Sequence, residues 1–572
     1  MTSSADGTPP GRTVAQALAD FVHDTLDCDR IFTVPGEAVL PLVSLAGEMG
    51  VDLVPMRHES GAGFAALADS WLTGRPAVVA VNRSPGAANL GIALDVTRCD
   101  RTPILVVVGT SRRDQDRRTG YQSLDPEAQL GGLAHVITIT GGPQLPKLLA
   151  EAAELLRAPL PATVVFSVPQ DVWEEEVPAA DGPSDVPSSR LSPAPRTDDE
   201  ADRAVAERVR EALLAAERPV VVAGRLLRSE DGTGPGEALD RFARQALVPV
   251  LLGNKQQDLM DNAAPGYAGD VHQGTHPETR ARLEEADLVL FLGELPWEVH
   301  LMRWYSDQPL MTVHPEPAGP GERLAADPRR VLTLLGGADW AASPQRRAWA
   351  EDWRALETRL SEPAPRRYAD GLDFTHVVAA LDTLLPDDAL VCLDAGNFGS
   401  WVHRYLKVRA QQRLLAVADG AMGFGVPGAV AAVRRHPERT VVALVGDGGV
   451  LMTGNELAVP HPAGRGPVVI VADNSGYGAI RTQGARAFPG TDVAAELVSP
   501  DFTLWAQAFG VPAERVTTEA EVLPALRRAL ASDRGYLLHV PISPLAAHAN
   551  FDMPGATGPA PARGKDTPCP TP

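Results

Sequence analysis

Cysteine is scarce and scattered: Cys28, Cys99, Cys392 and Cys569 are the only four in 572 residues. No CxxC pair occurs and no histidine stands at ligand spacing from them, which argues against structural zinc or a disulfide framework and fits a reducing compartment. No apolar run approaches the roughly 20 residues a membrane helix needs. The stretch from Met1 to Arg12 is polar and lacks the apolar core of a secretory signal. Positive charge is in deficit, with 52 Lys and Arg against 73 Asp and Glu, a formal −21. Such a chain repels phosphate backbones and shows no basic patch, so nucleic-acid binding is not expected; the charge serves solubility. The GxxxxGK[ST] loop of nucleoside triphosphatases is absent as well. A cytoplasmic protein acting on a small molecule, with no membrane or nucleic-acid partner, is the expectation.

What the chain does contain is alternation. Short β-branched runs alternate with amphipathic helical stretches almost throughout, the pattern of parallel sheets flanked by helices. Thr13 with Gln16 makes a capping box, and Val14, Ala17, Leu18, Phe21 and Val22 form one apolar face behind it. Strands are expected at Arg30–Val34, Ala77–Val81, Pro103–Val108 and Thr163–Val168, then at Val220–Ala223, Pro249–Leu252 and Asp287–Leu292. A last set falls at Leu390–Leu393, Thr440–Val445, Pro467–Ala472 and Tyr536–Val540. The reading is α/β with three domains: 11–175, a Pro/Ser/Asp-rich linker 176–200, a middle domain 201–345, and a third domain 370–554. A charged, Pro-containing stretch from Trp340 to Asp370 leads into the third domain. The Pro/Gly/Ala-rich tail 555–572 is expected to be disordered.

The strongest motif lies in the third domain. A buried-strand run ends in Gly446-Asp447-Gly448-Gly449, and the next such run ends at Asn474, followed by Gly476-Tyr477-Gly478. Both stand at the carboxyl ends of parallel strands, where open α/β sheets bind ligands. Asp447 offers a hard carboxylate oxygen, Asn474 a neutral carbonyl and Gly476 a backbone carbonyl, a set suited to Mg²⁺ with diphosphate and water completing the octahedron. The glycines let backbone N–H groups approach phosphate. A bare GDG is more often a strand-to-helix turn; the pairing with Asn474 lifts it above that. Gly423, Gly425 and Gly428 match GxGxxG, but Pro427 interrupts it and no strand directly precedes it, so it does not read as a dinucleotide site.

These residues resemble the signature of thiamine-diphosphate enzymes, the group that includes acetohydroxyacid synthases, pyruvate oxidases and benzaldehyde lyase. The resemblance implies a thiamine-diphosphate-binding fold twice, in the pyrimidine-binding first domain and the diphosphate-binding third, around a Rossmann-like middle domain. It implies that Asp447, Asn474 and Gly476 hold Mg²⁺ and that Gly448, Gly449 and Tyr477 border the diphosphate. Asp394-Ala395-Gly396-Asn397-Phe398 is similar to a diphosphate-contacting segment, giving Gly396, Asn397 and Phe398 as cofactor contacts. By the same resemblance the Gly420 carbonyl accepts from the cofactor's 4′-amino group, and Met422 is the wedge that bends the cofactor.

In the first domain, Pro35-Gly36-Glu37, Arg57-His58-Glu59-Ser60-Gly61 and Ser84-Pro85-Gly86-Ala87-Ala88-Asn89 resemble the pyrimidine-binding segments of the same family. Glu59 then takes the place of the catalytic glutamate, with Pro35, Pro85 and Asn89 at the cofactor. A carboxyl group on the aminopyrimidine ring favours the imino tautomer, whose nitrogen removes the thiazolium C2 proton. Most glutamates are surface helix residues, and only the third-domain motif raises Glu59 above that. His58 is kept as a weaker site residue. Two departures stand out: Arg83-Ser84 replace the family's Ser-Gly before Pro85-Gly86, and Ala88 stands where Thr is common.

Gly120-Tyr121-Gln122 resembles the Phe-Gln segment of acetohydroxyacid synthases, which makes Gln122 the second catalytic candidate and Tyr121 a substrate contact. Ile480 and Gln483 are substrate candidates on the helix after Asn474; biosynthetic relatives carry Trp at position 483. The paired histidines of simple decarboxylases are missing from 109–118, which favours carboligation or acyl transfer. Gly224-Arg225 and Gly293-Glu294-Leu295 fall short of the longer flavin signatures, so no FAD is expected. The resemblance implies decarboxylation of a 2-keto acid such as pyruvate, with acyl transfer to an acceptor, by a homodimer at the least and a homotetramer by expectation. Pyruvate-oxidase-like or benzaldehyde-lyase-like chemistry, and a non-catalytic scaffold, are the alternatives.

Overall fold

A computed structural model describes residues 11–115, 119–123, 125–178, 199–229, 231–298, 308–341, 343–461 and 465–553. Most of the expected linker and all of the expected tail lie outside these residues. The chain divides into two compact units, Met1–Pro195 and Arg196–Pro572.

The first unit is built on one six-stranded parallel sheet: β1 (Arg30–Val34), β2 (Asp52–Pro55), β3 (Ala77–Asn82), β4 (Ile104–Thr110), β5 (His135–Thr138) and β6 (Thr163–Pro169). Its order is β2-β1-β3-β4-β6-β5. The inner strands β3, β4 and β6 are almost unbroken Val, Ile, Ala and Phe, as a sheet covered on both faces requires. The capping box at Thr13 and Gln16 forms, and Val14, Leu18, Phe21 and Val22 join Leu105, Val107 and Phe166 in the core.

The second unit carries two such sheets. The first of them holds β7 (Pro219–Ala223), β8 (Val250–Leu252), β9 (Tyr267–Asp270), β10 (Leu288–Leu292), β11 (Leu310–His314) and β12 (Glu322–Ala325), in the order β12-β11-β10-β7-β8-β9. This is the doubly wound order of dinucleotide-binding domains. The charged stretch after Trp340 is not merely a connection: Ser343 caps a helix, Pro344–Leu360, through Arg346 N–H. Four apolar residues among its charges, Trp349, Trp353, Leu356 and Leu360, cover one face of this sheet. Cutting the buried Trp353 back to Ala would cost about 3–5 kcal/mol.

The last sheet comprises β13 (Leu390–Leu393), β14 (Arg413–Ala416), β15 (Val441–Gly446), β16 (Gly466–Asp473), β17 (Ala513–Arg515) and β18 (Arg534–Pro541). Its order, β14-β13-β15-β16-β18-β17, repeats the winding of the first sheet strand for strand. In both, the order reverses between the first and third strands, and the crevice at that switch is where a ligand belongs. Among the described residues no helix is long and apolar enough to cross a membrane.

Candidate active site

In the first unit the switch crevice lies beyond the ends of β1 and β3. Glu59 is the first residue of the helix Glu59–Thr73 and is half-buried. The helix starts there because His58 caps it, its Nδ1 accepting from Ser60 N–H at 3.2 Å. His58 thus has a structural task. Asn89, at the end of the helix Arg83–Asn89, donates from Nδ2 to Glu59 Oε2 at 2.9 Å. At the other end of that short helix, Ser84 N–H donates to the Gln122 carbonyl at 3.3 Å. One seven-residue helix therefore touches both the Glu59 carboxylate and the Gln122 backbone, with exposed Pro85 in its first turn. Tyr121 is exposed beside Gln122, and Pro35 is exposed at the end of β1.

Arg83 opens this helix with a left-handed φ of 51°, and Gln122 has a φ of 50°. The Arg83 guanidinium donates to Gln170 Oε1 at 3.0 Å and lies 3.6 Å from the Glu37 carboxylate, while Gln170 Nε2 donates to Glu37 Oε1 at 3.0 Å. A polar network thus joins the ends of β1, β3 and β6. The sequence marked Arg83 only as a departure; its partners are distant in the chain and could not be read there.

In the second unit three strand ends converge. Asp447 follows β15, is 3 % exposed, and accepts from Gly476 N–H at 2.9 Å. Burial, followed by the charge of Asp473, pushes its carboxyl up to about 6. Burial would also raise Asp473, but hydrogen bonds from His539, Ser475 and Ser499 outweigh it and hold that carboxyl below its ordinary value. Asn474 Oδ1 is buried without a hydrogen-bond partner. Arg481 donates to the carbonyls of Asn474 (3.2 Å) and Ser475 (3.0 Å) and forms a two-pronged pair with Glu496 at 2.9 and 2.8 Å. A Cβ on Gly476 would come within 2.5 Å of the Ala495 backbone carbonyl and 2.2 Å of Arg481 Nη2; the backbone contact cannot give way, so only glycine fits there. A desolvated carboxylate beside an orphaned amide oxygen suits a small hard cation.

Around this point Gly448 is flanked by Tyr477 and Met422: a Cβ on it would lie 2.8 Å from the Tyr477 ring and 3.2 Å from Met422 Cε. Gly449 is buried next to it, and Gly420 is exposed at the tip of the Met422 loop. Gly396 and Asn397 follow β13, with Asn397 Nδ2 donating to the Ala547 carbonyl and Thr482 Oγ1. The Phe398 ring is buried in the apolar core, so what it can offer a ligand is backbone. Ile480 and Gln483 stand on one exposed face of the helix Gly478–Ala487.

A second set of ligating side chains, Asp270, His272 and His403, sits beside a cavity of about 40 Å³. Hydrogen bonding accounts for it. Gly274 N–H donates to His272 Nδ1 at 3.0 Å, which makes Nε2 the protonated nitrogen and unfit to ligate. His403 Nδ1 and Gln257 Nε2 both reach Asp270 Oδ2, at 2.5 and 2.9 Å.

Three family descriptions cover these regions in order: the thiamine pyrophosphate enzyme N-terminal TPP binding domain at 12–130, its central domain at 206–335, and its C-terminal TPP binding domain at 394–540. The chain is a thiamine pyrophosphate enzyme. Among curated relatives of this thiamine pyrophosphate enzyme, a catabolic acetolactate synthase of Raoultella terrigena is 25 % identical over 547 residues, covering 92 % of this chain and 94 % of the relative. A pyruvate oxidase of Lactiplantibacillus plantarum is 25 % identical over 527 residues, covering 89 % and 85 %. In fold, the chain matches the thiamine diphosphate-dependent 4-hydroxybenzoylformate decarboxylase of Rhodococcus jostii RHA1 with a TM-score of 0.78 at 21 % identity, over 95 % of this chain and all of that one.

Proposed function

We propose that this enzyme uses thiamine diphosphate and Mg²⁺ to decarboxylate a 2-keto acid such as pyruvate and transfers the acyl unit to an acceptor, in the manner of an acetolactate synthase. The observation that carries the cation half is the buried, partnerless Asn474 Oδ1 beside the desolvated Asp447 carboxylate. Asp447, Asn474 and the Gly476 carbonyl would hold the metal. Because Arg481 occupies the carbonyls of the two preceding residues, that of Gly476 is the next in line. When bound, thiamine diphosphate supplies a thiazolium carbon that attacks a carbonyl and stores the electron pair left by CO₂.

The remaining steps belong to side chains. Glu59 holds the proton exchanged with the aminopyrimidine ring, and Asn89 fixes the direction of its Oε2. Gly448, Gly449, Gly396, Asn397 and the Phe398 backbone would hold the diphosphate. Met422 and the Gly420 carbonyl would hold the cofactor's ring end. Gln122, with Tyr121, Ile480 and Gln483, is the proposed substrate side. We propose a homodimer at the least, with a tetramer as the fuller assembly.

The acetolactate-synthase-like reading rests on the kinship with such enzymes over nearly the whole chain. An oxidase passing electrons to FAD is favoured less by the middle sheet. Beyond β7 and β10, where a dinucleotide diphosphate would lie, Glu294 is 1 % exposed and fills the space over Gly224 and Gly253: a Cβ on either would meet its Oε2 at 2.7 Å. Mass spectrometry of products from 2-keto acids with and without aldehyde or keto acid acceptors tests the proposal. A ligated product supports it, free aldehyde alone points to a simple decarboxylase, and acetate or acetyl phosphate with a yellow protein to an oxidase. No thiamine-diphosphate-dependent product at all would leave the scaffold reading.

A further inference from the structure

Asp394 directly follows β13 and is 1 % exposed. The family likeness places its neighbours at the diphosphate, while its own carboxylate is taken up by backbone amides. Both oxygens accept from Gly423 N–H, at 2.9 and 3.1 Å, and Oδ1 accepts from Ala395 N–H at 2.8 Å. The amides of Phe424 and Gly425 add to this set. A carboxylate 29 residues upstream thereby serves as the cap of the helix Gly425–Arg435, whose own N-cap residue, Phe424, offers no side-chain acceptor.

Gly423 is held from its other side too, because Thr453 Oγ1 donates to its carbonyl at 2.6 Å. Thr453 ends the helix Asp447–Thr453, which begins with the residue read as the metal ligand. Asp394 also reaches that helix: a Cβ on Gly449 would stand 2.5 Å from Asp394 Oδ2. The segment before Gly423 is held at Ala418, whose carbonyl accepts from Asn254 Nδ2 at 3.2 Å, while Asp419 and Gly420 at its tip are exposed. Met422 directly precedes the gripped residue, so the amide–carboxylate grip on Gly423 sets its direction more closely than the hold at Ala418, four residues away.

We propose that Asp394 is a positioning residue: it clamps Gly423 between β13 and the Asp447–Thr453 helix and so fixes Met422 and the Gly420 carbonyl in the place from which they meet the cofactor's ring end. The proposal rests on the thiamine diphosphate reading for its consequence, while the clamp itself is a property of the protein without cofactor. A water-filled or merely packed loop would not need a buried charge; the carboxylate matches several converging N–H groups that would otherwise be buried unpaired.

Hydrogen–deuterium exchange by mass spectrometry on the cofactor-free full chain tests it. Asp394→Asn keeps one acceptor oxygen and turns an N–H₂ group toward the same amides. Exchange in 420–425 should rise about tenfold or more, with β13, β15 and β16 protected as before. Thr453→Val removes the opposite hold and should loosen the same segment, which keeps the test alive should Asp394→Asn not fold. With saturating thiamine diphosphate and Mg²⁺, Asp394→Asn should lower kcat about tenfold or more while KM for the keto acid changes little. Unchanged exchange in 420–425 in a folded Asp394→Asn protein overturns the clamp. Raised exchange with unchanged kcat overturns its positioning role. A wild-type chain that binds no thiamine diphosphate would instead sink the functional reading and leave the exchange result standing.

Discussion

Asn89 donates its side-chain amide to Glu59 Oε2 at 2.9 Å, tying the end of one helix to the start of another. If Glu59 exchanges the proton that activates the cofactor, Glu59→Gln should leave the fold intact and slow turnover by about 10²–10⁴-fold. Asn89→Ala, which frees the carboxylate without removing it, should cost nearer tenfold. Steady-state kinetics with circular dichroism as a fold control check both; wild-type turnover in Glu59→Gln would refute the assignment.

The Asp447 carboxyl sits at about 6 in the folded protein, above its ordinary value, so the folded chain binds this proton more tightly than the unfolded one. Its contribution to stability therefore grows as pH falls through about 6 and reaches its full value below about 4. Above about 6 the ionised group is a cost, relieved by a cation. Metal binding should weaken as pH drops through that range, with a proton released for each metal taken up. Asp447→Asn should melt above the wild type at pH 8 without metal, and the gap should narrow below about pH 6 and close near pH 4. Calorimetry across that range, with and without Mg²⁺, measures both effects.

Arg481 and Glu496 are unequal partners, with side chains 15 % and 76 % exposed. Arg481→Met strips the carbonyls of Asn474 and Ser475 of a charged donor and should weaken Mg²⁺-dependent cofactor binding about tenfold or more. Glu496→Gln loses a solvent-screened partner and should shift it about threefold at most. Titration of apoprotein with thiamine diphosphate at fixed Mg²⁺ distinguishes the two.

Arg83 holds a left-handed backbone that glycine would adopt freely. Arg83→Gly and Arg83→Ala lose the same contacts to Glu37 and Gln170, but only Ala keeps the strain. Arg83→Ala should therefore be less stable than Arg83→Gly by about 1 kcal/mol in urea unfolding. Equal stabilities would mean that the turn relaxes once the guanidinium is gone.

The strands legible in the sequence are inner ones, paired on both sides. Arg30–Val34 and Leu390–Leu393 begin and end where expected, and nine others shift by a residue or two. Six of the seven strands that escaped notice, β2, β5, β9, β12, β14 and β17, are the edges of their sheets, where three or four residues pair on one side and need no continuous apolar run. The seventh, β11, is an inner strand whose Thr312 and His314 break the pattern. At the site, Asp447, Asn474 and Gly476 announced themselves by their place after strand runs, and the structure brings them together. Asp473 did not, and although Asp394 and Arg481 lie in segments the sequence marked, what their side chains hold could not be read. Each acts on backbone groups or on another carboxylate, and such work leaves no spacing to read.

The first and last sheets are wound alike, and the helix between the second and third strand opens with Glu59 in one and Gly425 in the other. The same address thus houses a carboxylate in one copy and bare amide groups, gripped from β13, in its counterpart. A graft from copy to copy at that address would be ruinous: any Cβ on Gly425 already meets Asp394 at 3.2 Å, and a second acid there would crowd like charge into a sealed space. Twin scaffolds have become non-interchangeable, each locked into its half of the labour.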